Sequence, residues 1–290
     1  MNKIVSVVIP TYKRDARVVR NAINSVLQQS YKNIEIIIVD DNGGDEYSKV
    51  VFECVKEFPQ VIYIPHEKNM GACEARNTGI KNSTGEFVAF LDDDDSWDIR
   101  KIEKQISKFK NERVALVYCG IKYIFEKNNK VINKRAIKSN QPCKDLLVRN
   151  YIGSTSCGVV RKTCAIEVGM FDVNLKSGQD LDFWYRLAEK YELDYIEECL
   201  LNYTIYETNT ITSNYSNRLS SNKYLKEKYR NVLKDDKELM TIYNLKIAKS
   251  YIKLNMYHKM IVYIFESIKN KQLSLRYSIK WILNSWKTTN

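Results

Sequence analysis

Two hydrophobic periods alternate through the first hundred residues. Ile4 to Ile9 is a short apolar, β-branched run stopped by Pro10, and Val18, Val19, Ala22, Ile23, Val26 and Leu27 follow at helical spacing. Ile34 to Val39 reads as a second strand ending at Asp40-Asp41-Asn42-Gly43-Gly44. A helix from about Glu46 leads to Val61–Ile64, a third helix spans Ala72 to Lys81, and Phe87–Leu91 is a fourth strand. Strands this apolar, separated by helices, predict an α/β chain whose parallel sheet is covered on both faces. The middle changes character: a hairpin between Val114 and Ile137 turns at Asn128-Asn129, Val159-Val160 belongs to another strand, and Asp180 to Lys190 is a helix. From about Asn217 the pattern is helical to the end, with breaks near Lys234-Asp235-Asp236 and at Asn270.

Length and composition narrow this picture. The 290 residues suit one large domain, or one plus an appendage. With 44% apolar residues, 10 Gly and 4 Pro, the chain can bury a substantial core and is neither disordered nor collagen-like. No apolar run approaches the roughly 18 residues of a membrane span, and Met1-Asn2-Lys3 leads directly into a strand, so neither a transmembrane helix nor a signal peptide is expected. The seven cysteines are scattered and never spaced C-x-x-C, which fits a reduced, cytosolic chain. Only His66 and His258 are available as imidazoles, which excludes His-rich zinc sites and leaves a Ser-His-Asp triad no persuasive context. P-loop and Rossmann glycine fingerprints are absent. The chemistry must rest largely on carboxylates.

The net charge of +11 is uneven. Ser216 to Asn290 holds 16 Lys/Arg against 5 Asp/Glu, so residues 1–215 balance at 30 of each. This region mixes Lys with Tyr, Trp and long aliphatics, as in Tyr251-Ile252-Lys253-Leu254 and Trp281 to Lys287. Two readings stand: a packed helical surface, or a patch that meets an anionic membrane surface through residues 216–290. Nothing else resembles a nucleic-acid module, and nucleic acid is not expected as a partner.

Ligands of open parallel sheets bind beyond the carboxyl ends of the strands, and the acids gather there. Strand two ends at Asp40-Asp41 and strand four at Asp92-Asp93-Asp94-Asp95. Four consecutive carboxylates repel one another and are tolerable only if solvated, paired or bound to a cation. Oxygen ligands of this kind suit Mg²⁺ or Mn²⁺, commonly bridged to substrate phosphates. The plainer reading is a solvated loop in which Asp95 or Ser96 caps a helix from Asp98.

The ordered set Val5-Ser6-Val7-Val8-Ile9-Pro10-Thr11-Tyr12, Val39-Asp40-Asp41, Asn69-Met70-Gly71 with Ala75-Arg76-Asn77, and Phe90-Leu91-Asp92-Asp93-Asp94-Asp95 resembles the family 2 glycosyltransferases. It continues through Gly169-Met170-Phe171-Asp172 and Gln179 to Trp184, covering about residues 3–215. The resemblance implies a GT-A fold, a Rossmann-like, mostly parallel sheet flanked by helices, with a C-terminal helical appendage. It divides the chain into a catalytic domain 1–215, with a nucleotide-binding half 1–95 and an acceptor-binding half 96–215, and a basic helical region 216–290.

It also implies an inverting, metal-dependent transfer of a hexose or N-acetylhexosamine from a nucleoside-diphosphate donor, most simply a UDP-sugar, in surface polysaccharide synthesis. The acceptor would be a hydroxyl of a glycan or lipid-linked acceptor at the inner face of the plasma membrane. Carried over by position, Pro10, Thr11 and Tyr12 would line the base pocket and Asp41 would accept from the base. Asn69 and Arg76 would help hold the donor, Asp92 and Asp93 would sit near ribose and metal, and Asp94 would be the principal ligand of Mn²⁺ or Mg²⁺. Asp180 matches the family's catalytic base, which takes the acceptor proton as the hydroxyl attacks.

Other readings remain beside these. Arg76 could be a surface helix residue paired with an acid, Asp180 a helix N-terminal acid favoured by the macrodipole, and Asp182 a structural acid. Gly153-Ser154-Thr155-Ser156 is either a plain loop or an acceptor contact. Gln179 replaces the usual acid before the base, and Thr204 and Tyr206 stand where the family often carries Arg and His. The competing functions are a haloacid-dehalogenase-type phosphatase, whose acidic motif normally ends the first strand, and a catalytically silent protein with a membrane-binding basic tail.

Overall fold

The computed structural model describes residues 3–205 and 214–269. The chain divides into two compact units, one of residues 1–173 and 180–207 and one of residues 174–179 and 208–290.

The first unit is built on one sheet whose strands are β1 (Val5–Thr11), β2 (Ile34–Asp40), β3 (Val61–Pro65), β4 (Phe87–Phe90), β5 (Asp95–Trp97), β6 (Val114–Phe125), β7 (Lys130–Lys134), β8 (Gly158–Arg161) and β9 (Glu192–Ile205). Their order is β3-β2-β1-β4-β8-β6-β9-β5, with β7 paired to β6. The first four strands are mutually parallel, Val5 facing Ile34 on one side and Phe87 on the other. Beyond β4 the sheet becomes mixed: β8 runs antiparallel to β4 and β6, and β9 parallel to β6. The apolar runs explain the order, since β1, β2 and β4 are the buried centre.

Helices α1 (Ala16–Leu27), α2 (Glu46–Val55) and α3 (Ala72–Asn82) link the parallel strands. Asp15 and Asp45 cap the first two, accepting from Val18 N at 3.1 Å and Tyr47 N at 2.9 Å. α3 presses on β1 so tightly that a Cβ on Gly79 would lie 2.2 Å from a Val8 methyl, so only glycine fits there. Further along come α4 (Lys101–Ile106), α5 (Pro142–Val148), α6 (Lys162–Glu167) and α7 (Gln179–Lys190). The hairpin of β6 and β7 turns at Asn129, which takes a left-handed φ of 52°.

Two segments differ from the sequence reading. Asp95 and Ser96 do not cap a helix. They form β5 against Leu201–Tyr203 of β9, and α4 begins only at Lys101. The buried Trp97 side chain, whose Nε1–H donates to Ser156 O at 3.0 Å, holds this segment extended. The periodicity also assigns nothing across 192–205, where β9 lies. Glu197-Glu198 interrupts its alternation, and register shifts around Gly120 of β6 absorb the irregularity.

The second unit contains α8 (Tyr215–Lys228), α9 (Arg230–Asp235), α10 (Lys237–Lys253) and α11 (Tyr257–Lys269). Ile247, Ala248, Tyr251, Ile252, Met260 and Ile264 form its core. The expected break falls at Asp236, which caps α10 by accepting from Glu238 N and Leu239 N at 3.0 and 3.1 Å. Tyr206, the break at Asn270 and the stretch Trp281–Lys287 lie outside the described residues. Among the described residues no helix is long and apolar enough to cross a membrane.

Candidate active site

The carboxyl ends of β1, β2 and β4 meet at one edge of the sheet, because parallel neighbours end on the same side. Their loops, the start of α3, the turn 153–157 and the start of α7 bring the predicted residues together.

At the end of β2 both acids are locked. Asp40 is fully buried, and its carboxylate accepts from Asn42 N (3.0 Å), Asn42 Nδ2 (2.6 Å) and Tyr63 OH (2.5 Å). Asp41, 3% exposed, accepts at Oδ1 from His66 Nδ1 (2.7 Å) and Met70 N (2.7 Å), and at Oδ2 from Asn69 Nδ2 (3.0 Å) and Gly71 N (2.8 Å). Four donors fill the four lone-pair directions of a carboxylate. Asp41, expected to accept from a nucleotide base, also shapes the 66–71 loop through these four bonds. Asn69, expected at the donor, spends its amide on Asp41 as well. Gly71 permits this loop because its φ of 87° is one that side chains with a Cβ rarely adopt.

The end of β4 is organised differently. Arg76 is a buried residue, contrary to the surface alternative, and its Nη2 donates to Asp92 Oδ1 at 2.5 Å. Thr155 and Ser154 also donate to Asp92, at 3.1 and 3.3 Å. Arg14 donates from Nε to Asp93 (2.8 Å) and from Nη2 to Asp94 (2.6 Å). Asp95 accepts from Ser156 Oγ at 2.6 Å. The turn Gly153–Ser156 is therefore stitched to the acidic loop by three hydroxyls.

These acids remain electrostatically unsettled. Burial pushes the Asp93 carboxyl up to about 6, with Arg14 opposing and Asp94 adding. Burial raises Asp94 too, and the charge of Asp92 adds to it. Asp95, 4% exposed, is raised well above the ordinary range for the same two reasons.

Asp180 enters from α7. Phe183 and Trp184 anchor this helix in an aromatic cluster: Phe183 packs on Phe171 at 4.3 Å between ring centroids, and Phe171 meets Phe90, next to the acidic loop, edge-on at 5.1 Å. Asn77 grips the Phe171 backbone by donating to its carbonyl and accepting from its N–H, both at 2.9 Å. Asp180 accepts from Asn150 Nδ2 at 2.7 Å and is raised by burial, with Arg76 opposing and Asp92 adding. Asp92 thus acts on both Asp94 and Asp180, so two acidic clusters nearly ninety residues apart share one electrostatic neighbourhood. Asp182 points elsewhere. It is fully buried and pairs with Arg186 at 2.8 Å, whose guanidinium also ties down the carbonyls of Val168 and Met170.

At the end of β1, Pro10 is half-buried and Thr11 is 1% exposed, whereas Tyr12 is 44% exposed, with the Lys13 ammonium 5.2 Å from its ring centroid. Three contributors escaped the sequence reading. Arg14 had a signal, being a cation in the loop after the strand that neighbours β4. Thr155 lay in a segment left open. Asn150, thirty residues before its partner, had none.

Among the described residues no three His, Cys, Asp or Glu side chains converge as a ready-made metal cage. A divalent cation nevertheless fits one mode. Asp94 is partly exposed, with a side-chain exposure of 30%, so its carboxylate can serve as a single protein oxygen ligand. Phosphate oxygens and water would complete the shell, the usual way Mg²⁺ is held.

Residues 6–172, more than half of the chain, match the family described as Glycosyl transferase family 2. An uncharacterized glycosyltransferase of Methanocaldococcus jannaschii is 30% identical over 70% of this chain and 71% of its own length. A Bacillus subtilis glycosyltransferase whose name places it in teichuronic acid biosynthesis, TuaG, is 31% identical over 73% of this chain and 82% of its own. A Rickettsia typhi relative, 31% identical over 71% of this chain, is spanned over 65% of its length. Among solved structures, a Pyrobaculum calidifontis mannosyltransferase in complex with GDP-Man and Mn²⁺ superposes with a TM-score of 0.59 at 15% identity, over 99% of this chain and 80% of that one. Staphylococcus aureus TarS 1-349 in complex with UDP-GlcNAc gives 0.58 at 18% identity, over 97% and 79%. The fold is GT-A, and the chain belongs to the family 2 glycosyltransferases.

Proposed function

From membership in that family, we propose that the chain transfers a sugar with inversion from a nucleoside-diphosphate donor, a UDP-sugar in the first instance, to a hydroxyl of a glycan or lipid-linked acceptor in surface polysaccharide synthesis. We assign donor binding to residues 1–95, acceptor binding to 96–215, and an accessory role to the helical region 216–290. The observation that carries this reading is that one turn joins the two acidic segments: Asn150 bonds both Asp180 and Gly153, and the adjacent Ser154 and Thr155 bond Asp92. The relatives add support: one solved neighbour binds GDP-Man with Mn²⁺, another binds UDP-GlcNAc, and a curated relative is named for teichuronic acid.

In this reading Tyr12 stacks on the base, Pro10 and Thr11 shape the wall beneath it, and Arg76 and Asn69 fix the loops against which the donor lies. Asp92 and Asp93 border the ribose. Asp94 would hold Mn²⁺ or Mg²⁺, which would supply Lewis-acid compensation of the leaving diphosphate's charge. Asp180 accepts the proton of the acceptor hydroxyl as its oxygen bonds to the anomeric carbon, and the bond to diphosphate breaks on the opposite face, the electron pair leaving with the phosphate. A carboxylate held above its ordinary range by burial is a stronger base than a solvated one, and Asn150 keeps it oriented. Asp180→Asn should keep donor binding and lose transfer, and Asp94→Ala should lose metal-dependent donor binding. Normal turnover by Asp180→Asn would refute the base assignment.

The accessory role proposed for 216–290 is contact with an anionic membrane at the inner face of the plasma membrane. Two features support it: twelve Lys/Arg against five Asp/Glu between residues 214 and 269, and the exposed Ile261, Val262 and Phe265 on α11. Removing residues 216–290 should release the protein from anionic liposomes at low salt; undiminished binding refutes this part.

A further inference from the structure

A second constellation lies wholly within the helical unit. Lys223, Lys226 and Arg230 recur along α8 and into α9 at spacings of three and four residues, so they share one face. They line a cavity of about 570 Å³ with Asn244 of α10. Asn244 is 1% exposed, and its Oδ1 accepts from Lys226 Nζ at 2.7 Å. An ammonium can only donate, so this bond fixes which end of the amide is oxygen. The other end, Nδ2, is buried and has no hydrogen-bond partner among the described residues. A buried donor of this kind is costly to leave unpaired, and its residue lines the cavity together with three cations.

Two acids also line the cavity, Glu227 and Glu266. Their pairs are loose: Glu227 meets Arg230 at 3.2 Å with both side chains mostly exposed, and Glu266 meets Lys226 at 3.3 Å. Exposed pairs of this length contribute little and exchange readily for a better anion. Lys223 Nζ lies 5.2 Å from the Tyr251 ring centroid, so an aromatic face flanks the same cations. A carboxylate would bring one charge and two oxygens. A phosphate monoester brings nearly two charges and three oxygens, which matches three cations and an amide N–H more fully.

We propose that this cavity is a binding pocket for a phosphate monoester, separate from the carboxylate site on the sheet. Its volume exceeds that of phosphate alone and accommodates an attached sugar or glycerol. The monoester could sit on a soluble glycan or on a lipid headgroup, since both present the same oxyanion.

The test is calorimetric titration of the full chain at low salt with glycerol 3-phosphate, with neutral glycerol as control, and co-sedimentation with vesicles carrying phosphatidic acid or, at equal charge, the phosphodiester lipid phosphatidylglycerol. Saturable binding of glycerol 3-phosphate, or vesicle binding that requires phosphatidic acid, supports the proposal if Lys223→Gln/Arg230→Gln weakens it at least about tenfold while Arg14→Gln leaves it intact. The first arm identifies a soluble source and the second a lipid one. Both substituted side chains are solvent-facing, so the fold should survive, and an unchanged melting temperature verifies this. Binding that is absent in both arms, indifferent to the double substitution, lost in Arg14→Gln, or matched by glycerol or phosphatidylglycerol overturns the proposal.

Discussion

Two parallel strands, β2 and β4 on either side of β1, end in acids, and the two ends have opposite fates. At the end of β2, Asp40 and Asp41 receive seven hydrogen bonds from amides, a phenol, an imidazole and backbone N–H groups. At the end of β4, Arg14 and Arg76 each attend to part of a four-carboxylate run, and three of those carboxyls stand above their ordinary range. Donor supply, rather than the number of acids, separates a structural knot from a site with charge to spare. The excess at β4 is what a cation and a diphosphate group can use.

The largest effects expected from this contrast are on transfer. Asp180→Asn and Asp94→Ala should each lower the transfer rate by about 10³-fold, within the range for a lost general base or charge-stabilising group, with little change in melting temperature. Asp41→Ala should act the other way. It strands four donors, two of them backbone N–H groups, and should cost about 3 kcal/mol of stability, while the molecules that remain folded keep most of their activity. Paired kinetics and denaturant melts on the three variants check this. An Asp41→Ala protein that melts like the parent but no longer binds donor would return Asp41 to the base-contact role and erase the contrast.

The two strand ends also show what the sequence made legible. The first four strands, the three helices between them and α7 were readable because each is a clean apolar run or an amphipathic repeat flanked by an Asp cap or a glycine. β9 was not, because its pairing to β6 tolerates bulges and exposed acids that no local period reveals. The acids of the site were readable as types and in order. Their division of labour was not: Asp41 and Asp94 both follow an apolar strand, and only the fold brings His66, Asn69 and the 70–71 backbone to one and Arg14 to the other. The neighbours of Asp180 were equally hidden, since Asn150 meets it through a loop rather than through spacing.

A mid-sized effect should appear in stability against pH. Asp93 titrates near 6 when folded and near the ordinary 3.8 when unfolded, so the folded state holds its proton more tightly. The associated stability is fully present below about pH 4 and is lost as pH rises through about 6. Asp93→Asn carries no such charge. It should therefore be more stable than the parent by about 1–3 kcal/mol at pH 7.5, the upper end following from the rise of the carboxyl from 3.8 to about 6 and the lower allowing for the lost Arg14 contact, with the gain vanishing below pH 4. Urea melts at pH 4 and 7.5 measure it. A variant less stable than the parent at pH 7.5 would mean that Arg14 fully settles the acidic loop, making the end of β4 as quiet as that of β2.

The smallest effect concerns the side chain nearest the proposed base. Burial raises the folded Asp180 carboxyl above the ordinary aspartate value. If its ionised form takes the acceptor proton, transfer falls as pH drops through that raised value, giving an acidic limb in kcat. Asn150 Nδ2 donates to Asp180 Oδ2 at 2.7 Å and so favours the ionised form. Asn150→Ala removes that donor, raises Asp180 further, and should move the acidic limb upward by about one pH unit, the equivalent of one hydrogen bond to a charged group. Well above the limb kcat should fall only severalfold, because the base is still present though less firmly oriented. An Asn150→Ala profile that drops uniformly at every pH would mean that Asn150 serves only the 150–153 turn, where it also bonds Gly153 O and N at 2.7 and 3.0 Å, and the limb would have to belong to another group.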